Sequence, residues 1–263
     1  MYVAYSRDTV NKDVGSSRQL FIDNDIIAVV KNVTRRQHSP VKHANNPLIK
    51  RDKPWEVTTY FRTSAFNVIR DPIDNLYKCW YEDFYEYFAK GVPSRERLYY
   101  AHSLDGLNWE KPLLGKHTID GHDTNAIFDP PVVMKGCPSI MLDPLETDPS
   151  RRYKMVYLNH DTSDRDKSTM GGAPGGLRLD YSPDGIDWTS EAANPIIPGW
   201  KSDVEILTYD PEDSKYILWG RYGGSAGGSG HPEMDNWFSP VWPSRPEGVW
   251  GTRRRIYRLE SPD

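Results

Sequence analysis

Ser103-Leu104-Asp105-Gly106-Leu107-Asn108-Trp109 and Ser182-Pro183-Asp184-Gly185-Ile186-Asp187-Trp188 share the pattern Ser-x-Asp-Gly-x-x-Trp, 79 residues apart. In such a turn the Ser and Asp side chains accept backbone N–H bonds and Gly takes the positive-φ position. Trp then starts a returning strand and is expected to pack between neighbouring sheets. A Pro-apolar exit follows each copy, Lys111-Pro112-Leu113-Leu114 and Asn194-Pro195-Ile196-Ile197. An earlier Asn46-Pro47-Leu48-Ile49 has the same form.

Upstream of each turn lies a hairpin. Asp71-Pro72, Asp143-Pro144 and Asp210-Pro211 stand at spacings of 72 and 67 residues. Each is preceded by an apolar run and followed by a polar turn. An aromatic strand then returns: Tyr77 to Tyr81, Tyr153 to Tyr157 and Tyr216 to Trp219. Long 3.6-residue periodicity is absent, and the short β-branched and aromatic runs are bounded by Pro, Gly, Asp or Asn. The fold class is therefore all-β. One unit reads as hairpin, polar loop, hairpin, or four strands in roughly 70–80 residues, which is a β-propeller blade repeated in tandem.

Composition agrees. The 263 residues are 37% hydrophobic and 27% charged with a formal net charge of −4, which excludes a disordered chain, a coiled coil and a basic nucleic-acid binder. The longest aliphatic run, Ile26 to Val30, is too short to span a bilayer. Cys79 and Cys137 read as two buried free thiols. Scattered histidines lack metal-ligand spacing, so neither a metal nor a cofactor is expected. The only partner expected is a carbohydrate, with no nucleic acid or membrane partner, and the protein is expected to be a monomer if complete. No basic-then-apolar leader follows Met1, which reads as cytoplasmic unless the true start is missing.

These residues carry a resemblance. The chain resembles the five-bladed propeller glycosidase superfamily, glycoside hydrolase families 32 and 43 in particular. It is similar to a bacterial group that opens with Leu-Phe-(Ile/Val)-Asp. The matching residues are Leu20 to Ile27, Asn46-Pro47-Leu48, Pro54-Trp55-Glu56, Tyr77 to Tyr81, and Ser103 to Trp109 with Glu110-Lys111-Pro112. The resemblance covers residues 18–263, after an N-terminal extension at 1–17. It implies a propeller and a carbohydrate-related role. Arg70-Asp71-Pro72 resembles the Arg-Asp-Pro of family 32, but Asp-Pro recurs at each hairpin and is read as a turn element. The family's Asn-Asp-Pro-Asn-Gly and Glu-Cys motifs are absent.

In a propeller, ligands bind where the loops entering the innermost strands meet the loops joining strands two and three. The entering loops are assigned to Arg62 to Ser64, His117 to Pro138 and Trp200 to Glu205. Glycoside hydrolysis requires two carboxyl groups, one acting as acid and the other as base or nucleophile. Asp203 and Glu205 alternate on one strand and should face the same side. Asp123 is the candidate from blade two, and Glu82 completes the catalytic set. Asp83, His160, Arg221, Trp200, Tyr85 and Arg62 are expected to bind substrate, the aromatic ones by stacking on sugar faces. The leading function is a glycoside hydrolase, and the alternative is a non-catalytic glycan-binding or scaffold propeller. A sialidase-like reading of the Ser-x-Asp-Gly-x-x-Trp turn would need three arginines in the channel, where only Arg62 and Arg221 are well placed. Gly223-Gly224-Ser225-Ala226-Gly227 lacks the strand-turn-helix context of a nucleophile elbow and reads as a mouth loop.

The expected architecture is about three blades of a five-bladed type, since five would need roughly 375–400 residues at this repeat length. Phe21 to Val33 has the pattern of outer strands of a final blade. An open arc with unpaired edges, poor solubility and no turnover is therefore expected for this chain alone.

Overall fold

The computed structural model describes residues 13, 15–16, 20, 22–24, 26–27, 29–57, 59–60, 67–85, 95–128, 136–159, 176–198, 202–223 and 254–262. The chain divides into two compact units, 1–46 and 47–263. In the first, the described residues between 22 and 33 form bends, a turn and a bridge at Val29 rather than the expected outer strands. Turn chemistry prevails there: the Ile27 amide donates to the Asn24 carbonyl, and Asn32 adopts φ +58°.

Among its described residues the second unit is all-β apart from one 3-10 turn, Pro149–Arg151, capped by the Asp148 carboxylate. Its strands are β1 (Thr59–Tyr60), β2 (Asn67–Arg70), β3 (Tyr77–Tyr85), β4 (Arg95–Ser103), β5 (Thr118–Ile119), β6 (His122–Asp123) and β7 (Ala126–Phe128). There follow β8 (Gly136–Leu142), β9 (Tyr153–Asn159), β10 (Gly176–Ser182), β11 (Thr189–Ser190), β12 (Ile197–Pro198), β13 (Ser202–Asp210), β14 (Lys215–Gly223) and β15 (Arg254–Ser261). All pairings are antiparallel. Sheet one runs β1-β3-β4-β7, with β2 on the same edge of β3 as β1. Sheet two runs β8-β9-β10 with β11 and β12 both on β10, and sheet three runs β13-β14-β15. The three Asp-Pro hairpins are β2–β3, β8–β9 and β13–β14, so each opens one blade.

The fourth strand is broken in both complete sheets. In sheet two β11 pairs with Asp180 and Tyr181, and β12 with Gly176 and Leu177. In sheet one Glu110 bridges His102, and β7 rejoins β4 at Leu98 and Tyr99. The hairpin β5–β6 occupies the interruption. The stretch 117–138 is thus not one loop entering blade two, because its first part completes blade one. Two-residue strands held by tertiary pairing leave no periodicity to read.

Both Ser-x-Asp-Gly-x-x-Trp turns close alike. Ser103 Oγ accepts from Gly106 N at 2.9 Å and Ser182 Oγ from Gly185 N at 2.8 Å. Asp105 and Asp184 Oδ1 each take two amides, and each Trp indole donates back to its Gly carbonyl at 3.1 Å. Trp188 packs, as expected, on the cluster shared by sheets one and two, which includes Trp80, Tyr100, Ile140, Tyr153, Met155 and Tyr157. A second cluster, with Val156, Leu158, Leu177, Leu218 and Leu207, joins sheets two and three.

One polar device repeats at both junctions. Asn67 Oδ1 accepts from the Ile140 amide at 2.9 Å, and Ser139 Oγ, at the same repeat position, accepts from the Leu207 amide at 3.0 Å. Asp71 takes Lys78 of its own blade and the Tyr153 hydroxyl of the next at 2.6 Å. Asp143 takes Lys154 of its own blade and the Tyr216 hydroxyl of the next at 2.7 Å. Burial alone would raise the Asp71 carboxyl. Bonds from Tyr153, the Ile73 amide, Arg152 and Lys78 outweigh it and hold the group well below the usual carboxylate range. Asp143 is lowered in the same way.

Cys79 is a buried free thiol, pushed up to about 12 by burial. It is expected to resist a maleimide in the native protein and to label fully in denaturant, as checked by mass spectrometry. The Cys137 side chain lies outside the described residues.

Candidate functional site

Successive side chains on β3 point to opposite faces. Lys78 and Trp80 point toward sheet two, where Lys78 donates to the Asp184 carbonyl and the Trp80 indole to the Gly185 carbonyl. Glu82 shares that face and is fully buried. Cys79, Tyr81 and Asp83 point the other way, under Trp55 and Glu56. There the Tyr81 hydroxyl donates to Glu56 Oε1 at 2.8 Å, and Lys111 Nζ reaches the same oxygen at 2.6 Å. Asn125 Nδ2 donates to the Tyr81 hydroxyl, and its Oδ1 accepts from the Trp55 indole. Burial first, and the Glu56 carboxylate second, raise the Tyr81 phenol far above its ordinary value.

Asp83 is buried, and its Oδ2 accepts from the Val57 amide at 2.8 Å. Arg97, also buried, stands directly opposite it on β4. Tyr99 lies two residues along. Burial and then Asp83 raise its phenol, while Arg97 opposes them. Arg97 was not singled out in the sequence. A buried cation at the head of β4, facing a buried acid, is visible only once the register of β3 and β4 is known.

Each inner strand breaks register at one level. In sheet one β1 pairs up to Tyr60↔Glu82 and β2 resumes at Asn67↔Trp80. In sheet two the shift lies between Gly136 and Ser139, and in sheet three between Ser202 and Glu205. Register breaks of this kind bend a strand and re-aim its side chains, and they recur beside active sites. Glu82 sits at the break in sheet one, and fully buried Glu205 at the break in sheet three, opposite Gly220. Because Asp203 lies inside that shift, simple alternation does not assign it the same face as Glu205; its side chain is outside the described residues.

Asp123 is exposed on β6, paired with Thr118, in the hairpin inserted into the outer strand of sheet one. His122 beside it packs its ring on Trp55 at 5.9 Å. Asp123 is therefore carried away from the inner strands because the segment bearing it completes blade one. Tyr85 and Arg221 lie at the ends of β3 and β14, and their side chains are outside the described residues, as are Arg62, His160 and Trp200 altogether. Among the described residues no group of three or more His, Cys, Asp or Glu side chains could hold a metal ion.

No family model and no curated protein matches the chain. Among solved structures it is similar to an N-acetylgalactosamine deacetylase from F. plautii, in complex with blood group B trisaccharide. That alignment has 16% identity and a TM-score of 0.39, over 59% of this chain and 44% of that one. It is also similar to a GH32 beta-fructofuranosidase from Bombyx mori, at 13% identity and a TM-score of 0.38, over 57% of this chain and 27% of that one. The chain thus spans less than half the length of either structure.

Proposed function

We propose that this protein is a carbohydrate-active propeller, a glycoside hydrolase that uses paired carboxylates at the mouth of the inner strands on an oligo- or polysaccharide. The supporting observation is that two fully buried glutamates, Glu82 and Glu205, lie at the level where the inner strands break register. In this reading one protonates the glycosidic oxygen while the other activates water or attacks the anomeric carbon. Asp83 and Arg97 hold the β3–β4 wall of the site in place. Their direct opposition across the ladder fixes the end of β3 that carries Glu82.

The test is hydrolysis of a panel of plant and algal oligosaccharides, with product anomers followed by NMR. Glu205→Gln and Glu82→Gln are each expected to lower kcat by at least about 10²–10⁴-fold, the worth of general acid–base participation. Each should still give a cooperative melt, since the amide nearly preserves volume. Full activity in both variants would remove the assignment. Glycan binding by the wild type without turnover would leave a binding propeller.

A further inference from the structure

In the first unit, residues 31–46 are exposed without interruption, and their backbone forms neither helix nor strand. Val33 and Val41 are 68% and 94% exposed, so no core holds the segment. Pro40 fixes its own φ and disfavours a helical Ser39, which biases the middle of the segment toward extended backbone. The segment carries Lys31, Arg35, Arg36 and Lys42, together with His38 and His43. No Asp or Glu stands between Asp25 and Asp52. The whole chain has 33 Lys and Arg against 37 Asp and Glu; without these four cations the remainder is 29 against 37, a formal charge of −8. The positive charge is therefore local, on a chain that is otherwise acidic.

In the blades, by contrast, Lys78, Lys111, Arg152 and Lys154 each have a carboxylate partner. None of Lys31, Arg35, Arg36 and Lys42 has an ion pair among the described residues. Arg35 Nη2 donates to the Asp23 carbonyl at 3.0 Å, which tethers the guanidinium without neutralising it. His43 Nδ1 accepts from the Asn45 amide at 3.2 Å, which leaves Nε2 as the donor of that ring.

Exposed cations with no acid beside them attract polyanions. The segment lacks the devices that nucleic acids and membranes require. No Phe, Trp or Tyr stands between Phe21 and Trp55 to stack on bases. No helix or β-ribbon is present there to enter a groove, and no amphipathic helix to lie in a bilayer surface. Carboxylates or sulfates spaced along a flexible glycan need only cations that solvent can reach.

We infer that residues 31–43 form a docking strip for a linear acidic polysaccharide, one that bears uronate carboxylates or sulfate esters. Lys31, Arg35, Arg36 and Lys42 supply the charge, and His38 and His43 add polar contacts. The inference rests on the carbohydrate-active reading for the class of polyanion, and not on hydrolysis. Loss of turnover in Glu82→Gln or Glu205→Gln leaves it standing, and its own failure leaves the paired glutamates standing.

The test is fluorescence anisotropy of labelled polygalacturonate, dextran sulfate and neutral dextran with the full chain, in about 50 mM salt, where surface charges are weakly screened. Binding to at least one acidic polymer and none to dextran is expected, and the preferred polymer distinguishes carboxylate from sulfate. Affinity should fall by about tenfold or more when salt is raised to about 200 mM. Combining Lys31→Gln, Arg35→Gln, Arg36→Gln and Lys42→Gln should weaken binding by about tenfold or more while leaving the melt unchanged, since all four side chains are exposed. A wild type that binds neither acidic polymer overturns the inference, as does a fourfold variant that binds as well as the wild type. Tighter binding to a labelled DNA duplex than to either polysaccharide overturns it too.

Discussion

Gly185→Ala is expected to lower stability by about 3–6 kcal/mol, whereas the same change at the equivalent Gly106 should cost only about 1–2. Both glycines have positive φ, +82° and +74°, which alanine adopts at a cost of about 1–2 kcal/mol. The surroundings differ. A Cβ on Gly185 would stand 2.4 Å from Trp80 Cζ2, while the closest atom to a Cβ on Gly106 is Tyr77 Cδ2 at 3.8 Å. Trp80 is wholly buried and cannot swing aside without losing its bond to the Gly185 carbonyl. Overpacking of about 1–3 kcal/mol and a lost hydrogen bond of about 1 therefore add to the backbone cost. In a chain of this size the melting temperature should fall by about 10 °C for Gly185→Ala. Thermal melts of the two variants decide the matter, and equal losses would show that Trp80 does not set the difference.

Asp71→Ala is the second large effect, expected at about 3–5 kcal/mol. It removes a buried carboxylate from Lys78, Arg152, Tyr153 and the Ile73 amide at once. Lys78 keeps Asp74 at 2.7 Å, but that carboxylate is partly exposed and belongs to the same blade. The junction with sheet two loses its anion. The pH dependence has a definite sign. Asp71 and Asp143 are depressed in the folded state, so their contribution is complete above the unfolded value of about 3.9 and is lost as pH falls below it. Urea midpoints should drop from about pH 4 downward, less steeply in Asp71→Asn than in the wild type. Parallel curves would show that this carboxylate is not the titrating group. Asp71 of the Arg70-Asp71-Pro72 tripeptide, for all its likeness to a hydrolase motif, thus serves as a clamp between blades.

What could be read in the sequence was whatever is built locally. The Asp-Pro hairpins and the Ser-x-Asp-Gly-x-x-Trp turns declare themselves because a side chain bonds to a backbone two or three residues away. The all-β class and the blade repeat follow from them. Register is different. The shift between Ser202 and Glu205 has no compositional mark, and across it simple alternation does not assign Asp203 and Glu205 to one face. The return of β7 to β4 is equally silent, and it carries Asp123 to the outer edge. Glu82 and Asp83 were legible as acids closing a strand. That they point to opposite faces, and that Arg97 opposes Asp83, emerges only from the pairing of β3 with β4. Asn67 and Ser139 are polar residues at one repeat position. That coincidence is a signal present in the sequence itself.

The broken fourth strands bear on how such a chain avoids amyloid-like stacking. A long, flat, unpaired strand is a template for another molecule's backbone, and an all-β repeat risks offering one per blade. In sheets one and two the outermost segments run only two or three residues before a turn or inserted hairpin interrupts them. In sheet three, β15 carries Arg258 and Glu260, with Lys215 and Arg258 both paired to Glu260. The interrupted rims of sheets one and two therefore offer a poor seed for cross-β growth.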